Sequence, residues 1–377
     1  MLPLLRRFST LAIGLLFLTS GAHRLAAQAS PIPSDASARE GELTFGIYYG
    51  EAQQLSISAG IATPHLFGSD ENLSLSFNAS QYYTALSITV TDTDFFEGPF
   101  SRQFTLGIQT VKPHAGQVGE YAYSHSEAGI SFGRPLSSNF AYSFGAGVAR
   151  YSFDEQTRLP TYMSDYIAAV DESFTDYFIH ASAEWNRSEQ NDWLRSGTAI
   201  RLNGQTGVVS HHGYGKFSGR VDHFTPFMSR MELRSHASLH YGWSVGSDQP
   251  YPIFHNFTGG GPGTLRGFGE HTLGPASEVP DTSEMSYPGG EFAVFGGLEA
   301  RTPLRARNDI YAMGYLDFGN VYANSDQFDM SSLRKSIGIG LQWETSAGPL
   351  SIFVSQPLSP KKIDHLSEVQ FQFGMRF

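Results

Sequence analysis

Residues 368–377 read Glu-Val-Gln-Phe-Gln-Phe-Gly-Met-Arg-Phe. Val369, Phe371, Phe373, Met375 and Phe377 are apolar, while Glu368, Gln370, Gln372, Gly374 and Arg376 between them are polar or lack a side chain. Successive side chains of a strand point to opposite faces, so this stretch has one face fit for lipid and one for a wet interior. It ends on an aromatic residue, Phe377, as the last strand of a bacterial outer-membrane barrel commonly does. The pattern recurs upstream. Ile337, Ile339, Leu341 and Trp343 alternate with Ser336, Gly338, Gly340, Gln342 and Glu344, and Leu73, Leu75, Phe77 and Ala79 with Asn72, Ser74, Ser76, Asn78 and Ser80.

Soluble sandwiches alternate too, so the start of the chain matters. Arg6 and Arg7 precede the apolar run Leu11 to Leu18, and Ala27-Gln28-Ala29 is a small-x-small cleavage site. Residues 1–29 therefore read as a signal peptide. No later stretch approaches the ~20 apolar residues of a membrane helix. The mean hydropathy of −0.23 is what a barrel gives, since only alternate residues face lipid and the average cancels. The 40 glycines, 29 phenylalanines and 18 tyrosines suit such a wall. Zero cysteines exclude a disulfide framework, and a net charge of −11 argues against nucleic acid as a partner.

Alternation places strands at 41–50, 53–62, 71–81, 83–93, 101–111, 120–132, 139–152, 173–186, 197–208, 218–228, 230–245, 291–302, 308–320, 333–345, 348–357 and 366–377. The expected fold is all-β: a 16-stranded antiparallel transmembrane β-barrel over 41–377, behind a short periplasmic lead at 30–40. An even count puts both termini in the periplasm. Short turns such as 133–138 then face inward to the cell. The longer connections at 153–172, 246–290, 321–332 and 358–365 face outward.

The connection 246–290 is unusually long. It contains Gly259-Gly260-Gly261-Pro262-Gly263-Thr264-Leu265-Arg266-Gly267-Phe268, then Leu273-Gly274-Pro275. Loops beyond ~12–15 residues without secondary structure of their own are usually functional or disordered. Glycines flanking a single arginine suggest a tightly folded backbone that delivers one cation to a defined place.

At this point the chain resembles the BamA/TamA-type outer-membrane assembly and secretion barrels. Leu265-Arg266-Gly267-Phe268 is similar to that family's [VLI]-R-G-[FY] loop motif. Glu299-Ala-Arg-Thr-Pro303-Leu304 is similar to the end of its strand twelve, and Leu316-Asp317-Phe318-Gly319-Asn320-Val321-Tyr322 to its next strand. Ser336-Ile-Gly338-Ile-Gly340-Leu-Gln-Trp343, Gly348-Pro349-Leu350 and Gln356-Pro357-Leu358 are similar to its penultimate hairpin. Gly46-Ile-Tyr-Tyr-Gly50 and Leu66-Phe67-Gly68 match its opening. The resemblance covers roughly 41–377 and implies that this sixth extracellular loop folds into the lumen. It implies that Arg266 meets Asp317 and Glu299, and that Gly374 kinks the last strand at a seam. A small residue fitted to a narrow lumen is the alternative for Gly374. The family carries periplasmic POTRA modules ahead of the barrel, where this sequence offers residues 30–40, so the resemblance implies a barrel-only member.

Other chemistry is weakly signalled. Gly129-Ile-Ser131-Phe-Gly133 fits a hydrolase pattern, but that pattern needs a strand-to-helix elbow and these residues end an alternating strand. His211-His212 would point opposite ways on a strand, which disfavours shared metal ligation. Gly259–Gly263 lacks the Lys-[Ser/Thr] and helix of a phosphate loop. No cofactor or metal is expected. Three function classes stay open: a barrel that inserts or translocates outer-membrane or surface proteins, a structural or pore-forming barrel, and a membrane-embedded hydrolase. The expected partners are outer-membrane lipid and lipopolysaccharide, client outer-membrane proteins, and a periplasmic protein standing in for the POTRA modules.

Overall fold

Alternation of apolar and polar residues leaves each strand of this chain with two unlike faces, and a closed ring is the arrangement that satisfies both. Lipid meets one face, the lumen the other, and no edge is left unpaired. The computed structural model describes residues 42–376 except 51–53, 64–70, 113–119, 192, 229, 247–250, 280–284, 305–308 and 346–347. The expected signal peptide, the lead at 30–40 and Phe377 lie outside the described residues.

Among the described residues sixteen long strands form the wall, and a short stretch, Glu189–Asn191, pairs back on Leu194–Ser196. The sixteen are β1 (Glu42–Gly50), β2 (Gln54–Thr63), β3 (Glu71–Ser80), β4 (Tyr83–Phe95), β5 (Phe100–Val111), β6 (Glu120–Ser137), β7 (Phe140–Arg158) and β8 (Ser173–Asn186). Then follow β9 (Leu194–Val209), β10 (His212–Phe227), β11 (Met231–Val245), β12 (Phe292–Pro303), β13 (Ile310–Tyr322), β14 (Arg334–Thr345), β15 (Gly348–Pro357) and β16 (Val369–Arg376). Each pairs antiparallel with the next. Gly46–Tyr49 of β1 pair with Phe373–Arg376 of β16, which closes the ring. The faces separate as the pattern requires. Leu298, Leu316, Ile337, Ile339, Val369 and Phe371 are exposed on the outer wall, while Glu299, Tyr315, Asp317, Ser336 and Gln370 face the lumen.

The strands depart most from the expected spans at β6, β7 and β10, with β7 running on to Arg158 rather than ending at 152, while β9 starts three residues earlier and β16 three residues later than expected. The 133–138 turn is strand almost throughout: β6 runs to Ser137, and the reversal is made by Ser138 and Asn139. β10 starts at His212 rather than 218, because Ser210 and His211 adopt left-handed φ values of 43° and 75° and make a two-residue hairpin turn. The 153–172 connection holds a helix, α1 (Thr161–Val170), whose Met163, Tyr166 and Val170 are buried. That spacing puts three apolar groups on one helical face. The face packs on Tyr151, Phe174 and Tyr214 of the inner wall, over the extracellular mouth.

A ring closed by backbone bonds resists detergent at room temperature and opens on boiling. The unheated protein is therefore expected to run on a gel at a mobility different from the boiled one. Identical mobilities, with the protein in the soluble fraction, would be incompatible with this architecture.

Candidate functional site

The long loop after β11 turns back into the barrel. Its turn is built by short backbone bonds: Gly261 N–H donates to Phe268 O (2.9 Å), and Leu265 N–H to Gly261 O (3.1 Å). Thr264 Oγ1 bonds both the N–H and the carbonyl of Gly260, at 2.8 and 2.9 Å. The result is a compact knot with Arg266 projecting from it. Gly267 follows at φ +90°, a conformation few residues other than glycine adopt. A Cβ there would also lie 2.9 Å from the Cβ of Ser355 on the wall. Backbone conformation and space both require glycine at that point.

Arg266 is 5% exposed and meets carboxylates from two strands. Its Nε and Nη2 donate to Oδ2 and Oδ1 of Asp317 on β13, at 2.7 and 2.8 Å. Its Nη1 donates to Oε2 of Glu299 on β12 at 2.6 Å, and its backbone N–H to Asp317 Oδ2 at 3.2 Å. The guanidinium also lies 3.5 Å over the ring of Tyr315, whose hydroxyl bonds Ser355 Oγ at 2.7 Å. A buried cation is costly unless each donor is answered, and the planar fork of arginine fits one carboxylate with two bonds while reaching a second.

Leu265 and Phe268 are fully buried. With Phe257, Leu273, Ala293, Phe295 and Val321 they form an apolar cluster between loop and wall. Gln370 of β16 grips the motif from the other side: its Nε2 donates to Phe268 O (2.9 Å), and its Oε1 accepts from Gly267 N–H (3.2 Å). Gly267 and Phe268 also bridge antiparallel to Ser367 and Leu366. The motif thus touches the strand that closes the barrel.

The structure brings Leu265, Arg266, Gly267, Phe268, Asp317 and Glu299 together. Gly374 lies apart, paired through its backbone with Tyr48 of β1. Sequence reasoning missed Tyr315, Ser355 and Gln370. Their signal was present, since each is a polar group on the inward face of its strand. Elsewhere Gly129–Gly133 is continuous strand within β6, with no elbow. No group of three or more metal-ligating side chains occurs among the described residues.

A model of the Omp85 superfamily domain matches residues 65–377. The outer membrane protein assembly factor BamA of Neisseria meningitidis is 23% identical over 367 residues, covering 86% of this chain; the chain spans 45% of that protein's length. The crystal structure of BamA from Haemophilus ducreyi lacking POTRA domains 1-3 superposes with a TM-score of 0.80 at 19% identity, over 90% of this chain and 71% of that one. CdiB from Acinetobacter baumannii gives 0.58 at 11% identity, over 90% and 60%.

Proposed function

The chain belongs to the Omp85 superfamily and is an integral outer-membrane β-barrel, and from that premise we propose that it aids the insertion or translocation of other outer-membrane or surface proteins. The observation that carries this reading is the weakness of the seam. β16 is joined to β1 by four residue pairs and to β15 by five among the described residues, whereas β1 and β2 share nine. Each missing pair removes ladder hydrogen bonds, and in lipid an unpaired N–H or carbonyl has no water to turn to. A short last strand is therefore the place where the ring parts at least cost and where an incoming strand finds partners. Gly374 sits inside that short ladder opposite Tyr48, and a glycine weakens a strand interior.

In this reading the roles divide by element. Arg266, with Leu265, Gly267 and Phe268, pins the loop to Asp317 and Glu299 so that the β12–β13 wall stays rigid. Gln370 ties that fixed wall to the strand that moves. Gly374 loosens the seam, and Phe377 marks the chain for its own assembly. The clients are unfolded outer-membrane proteins, the surroundings are outer-membrane lipid and lipopolysaccharide, and a periplasmic protein delivers the clients. The activity needs no covalent chemistry and no cofactor.

The chain has no cysteine, so a disulfide can be introduced cleanly. Tyr48→Cys with Gly374→Cys should lock the seam under oxidation. Client outer-membrane proteins should then fall in abundance as they do on deletion of the gene, and recover with reductant. An outer-membrane proteome unchanged by both deletion and locking would favour a structural barrel without assembly activity.

A further inference from the structure

The loop is held a second time, at a different sector of the wall. Its leading stretch, Tyr251 to Asn256, lies beneath α1. Phe254 sits among the rings of Tyr123, Tyr151, Phe153, Tyr166 and Phe174, with centroids 4.8–6.0 Å away. His255 beside it is 2% exposed and meets two charged residues from separate strands. Its Nε2 is 3.0 Å from Asp176 Oδ2 on β8, and its Nδ1 is 3.3 Å from Lys216 Nζ on β10. An ammonium can only donate, so Nδ1 must accept and the ring proton must sit on Nε2, facing the carboxylate. The same Oδ2 accepts the Tyr214 hydroxyl at 2.9 Å, and that hydroxyl accepts from Gln205 Nε2 at 2.6 Å. Asp176 is 1% exposed and Lys216 7%. Two buried charges of opposite sign are thus joined through a neutral imidazole supplied by the loop.

This network shares no residue with the Arg266 lock. Its wall strands are β8 to β10, while Arg266 is held on β12 and β13. Without the imidazole, Asp176 Oδ2 would keep the Tyr214 hydroxyl but lose its ring donor, and Lys216 would lose an acceptor; poorly answered buried charge is what a folded chain avoids most strongly. Anchoring is therefore reciprocal: the wall fixes the loop, and the loop keeps the wall charges satisfied.

We propose that His255 is a positioning residue which, relayed between Lys216 and Asp176, holds the leading half of the loop and α1 over the extracellular mouth and seals the lumen independently of Arg266. The inference concerns the lumen and stands whether or not the seam parts.

Conductance in planar lipid bilayers tests it. A glutamine amide offers an acceptor and a donor at nearly the spacing of Nδ1 and Nε2, whereas leucine fills the space without either. His255→Gln should stay as closed as the unaltered protein. His255→Leu, with its barrel shown to be folded by gel mobility, should raise the open fraction by about tenfold or more, as loss of charge-assisted bonds implies. A folded His255→Leu as closed as the unaltered protein would overturn the proposal. A second measurement needs no loss of packing. Protonating the imidazole turns an N–H toward the Lys216 ammonium, so current through the unaltered protein should rise reversibly on acidification. Tyr151, Tyr166, Tyr214, Tyr251 and His180 also lie close to the network. All of them remain in His255→Gln, which should show no such rise. Identical acid profiles for the two proteins would overturn the relay even where His255→Leu fails to fold.

Discussion

Arg266→Ala is expected to destabilise the folded barrel by about 3–5 kcal/mol, the range for removing one partner of a buried charge pair. The substitution removes three charge-assisted side-chain bonds and the stacking on Tyr315. The larger part of the cost comes from what stays behind. Asp317 is 2% exposed, and Glu299 lies diagonally beside it on the neighbouring strand, so two carboxylates would face one another without the guanidinium that bonds them both. Asp317→Ala should be costly for the converse reason, since it leaves the buried guanidinium with Glu299 as its one remaining carboxylate. The double variant removes both ends of the pair, so its effect should fall short of the sum by about 1–3 kcal/mol, the usual coupling of residues in direct contact. Denaturant unfolding of the four proteins in micelles, followed by tryptophan fluorescence, measures the cycle. Fully additive effects would mean that the contact carries no coupling energy. Arg266→Lys keeps the charge but loses the two-pronged geometry, and should fall between the parent and Arg266→Ala.

Phe268→Ala should cost a similar amount, about 3–5 kcal/mol for a buried phenylalanine whose site cannot collapse. Phe268 has no exposed surface and packs in the cluster of Leu265, Leu273, Phe257, Phe295 and Val321. Its own backbone carbonyl is held by Gln370, and its neighbour Gly267 is pressed against Ser355, so the chain has little freedom to close the cavity. Phe371→Ala is the matched control. Phe371 is 50% exposed on the outer wall, where hydrocarbon tails replace the lost contacts. Thermal unfolding midpoints of the two variants should separate widely. If Phe371→Ala is as damaging as Phe268→Ala, the loop cluster is not a core of this protein.

How much of this was open to inspection in the sequence differs from element to element. Alternation is local, and it located β3, β14 and β16, with Ile337, Ile339, Val369 and Phe371 outward and Ser336 and Gln370 inward as read. It failed at the start of β10, where Gly213 and Gly215 occupy the outward positions and offer no apolar side chains to read. The structure supplies the reason: the ring of Trp243, on the neighbouring strand β11, lies across Gly215, and a Cβ there would collide with it. The lipid-facing surface at that point belongs to the partner strand. Helix α1 lies outside what alternation can signal, although Met163, Tyr166 and Val170 have helical spacing and Pro160 stands just before them. A single short helix in a connection between strands competes poorly for attention with the period-two signal around it.

For the site the division is sharper. The loop motif was visible as residue types, and its partners came from resemblance to a family. Gln370, Tyr315 and Ser355 were visible only as inward-facing polar positions. The Lys216–His255–Asp176 relay left no trace in any stretch of chain, because its members lie 39 and 79 residues apart. By itself the sequence determined that the chain makes strands, which side of each meets lipid, and that one long glycine-rich loop carries a lone arginine. Tertiary structure alone decided where that loop goes and which charges it answers. The physical reason is that side-chain alternation is fixed within a few residues. The lumen, where burial makes every unpaired charge costly, exists only once β16 has closed on β1.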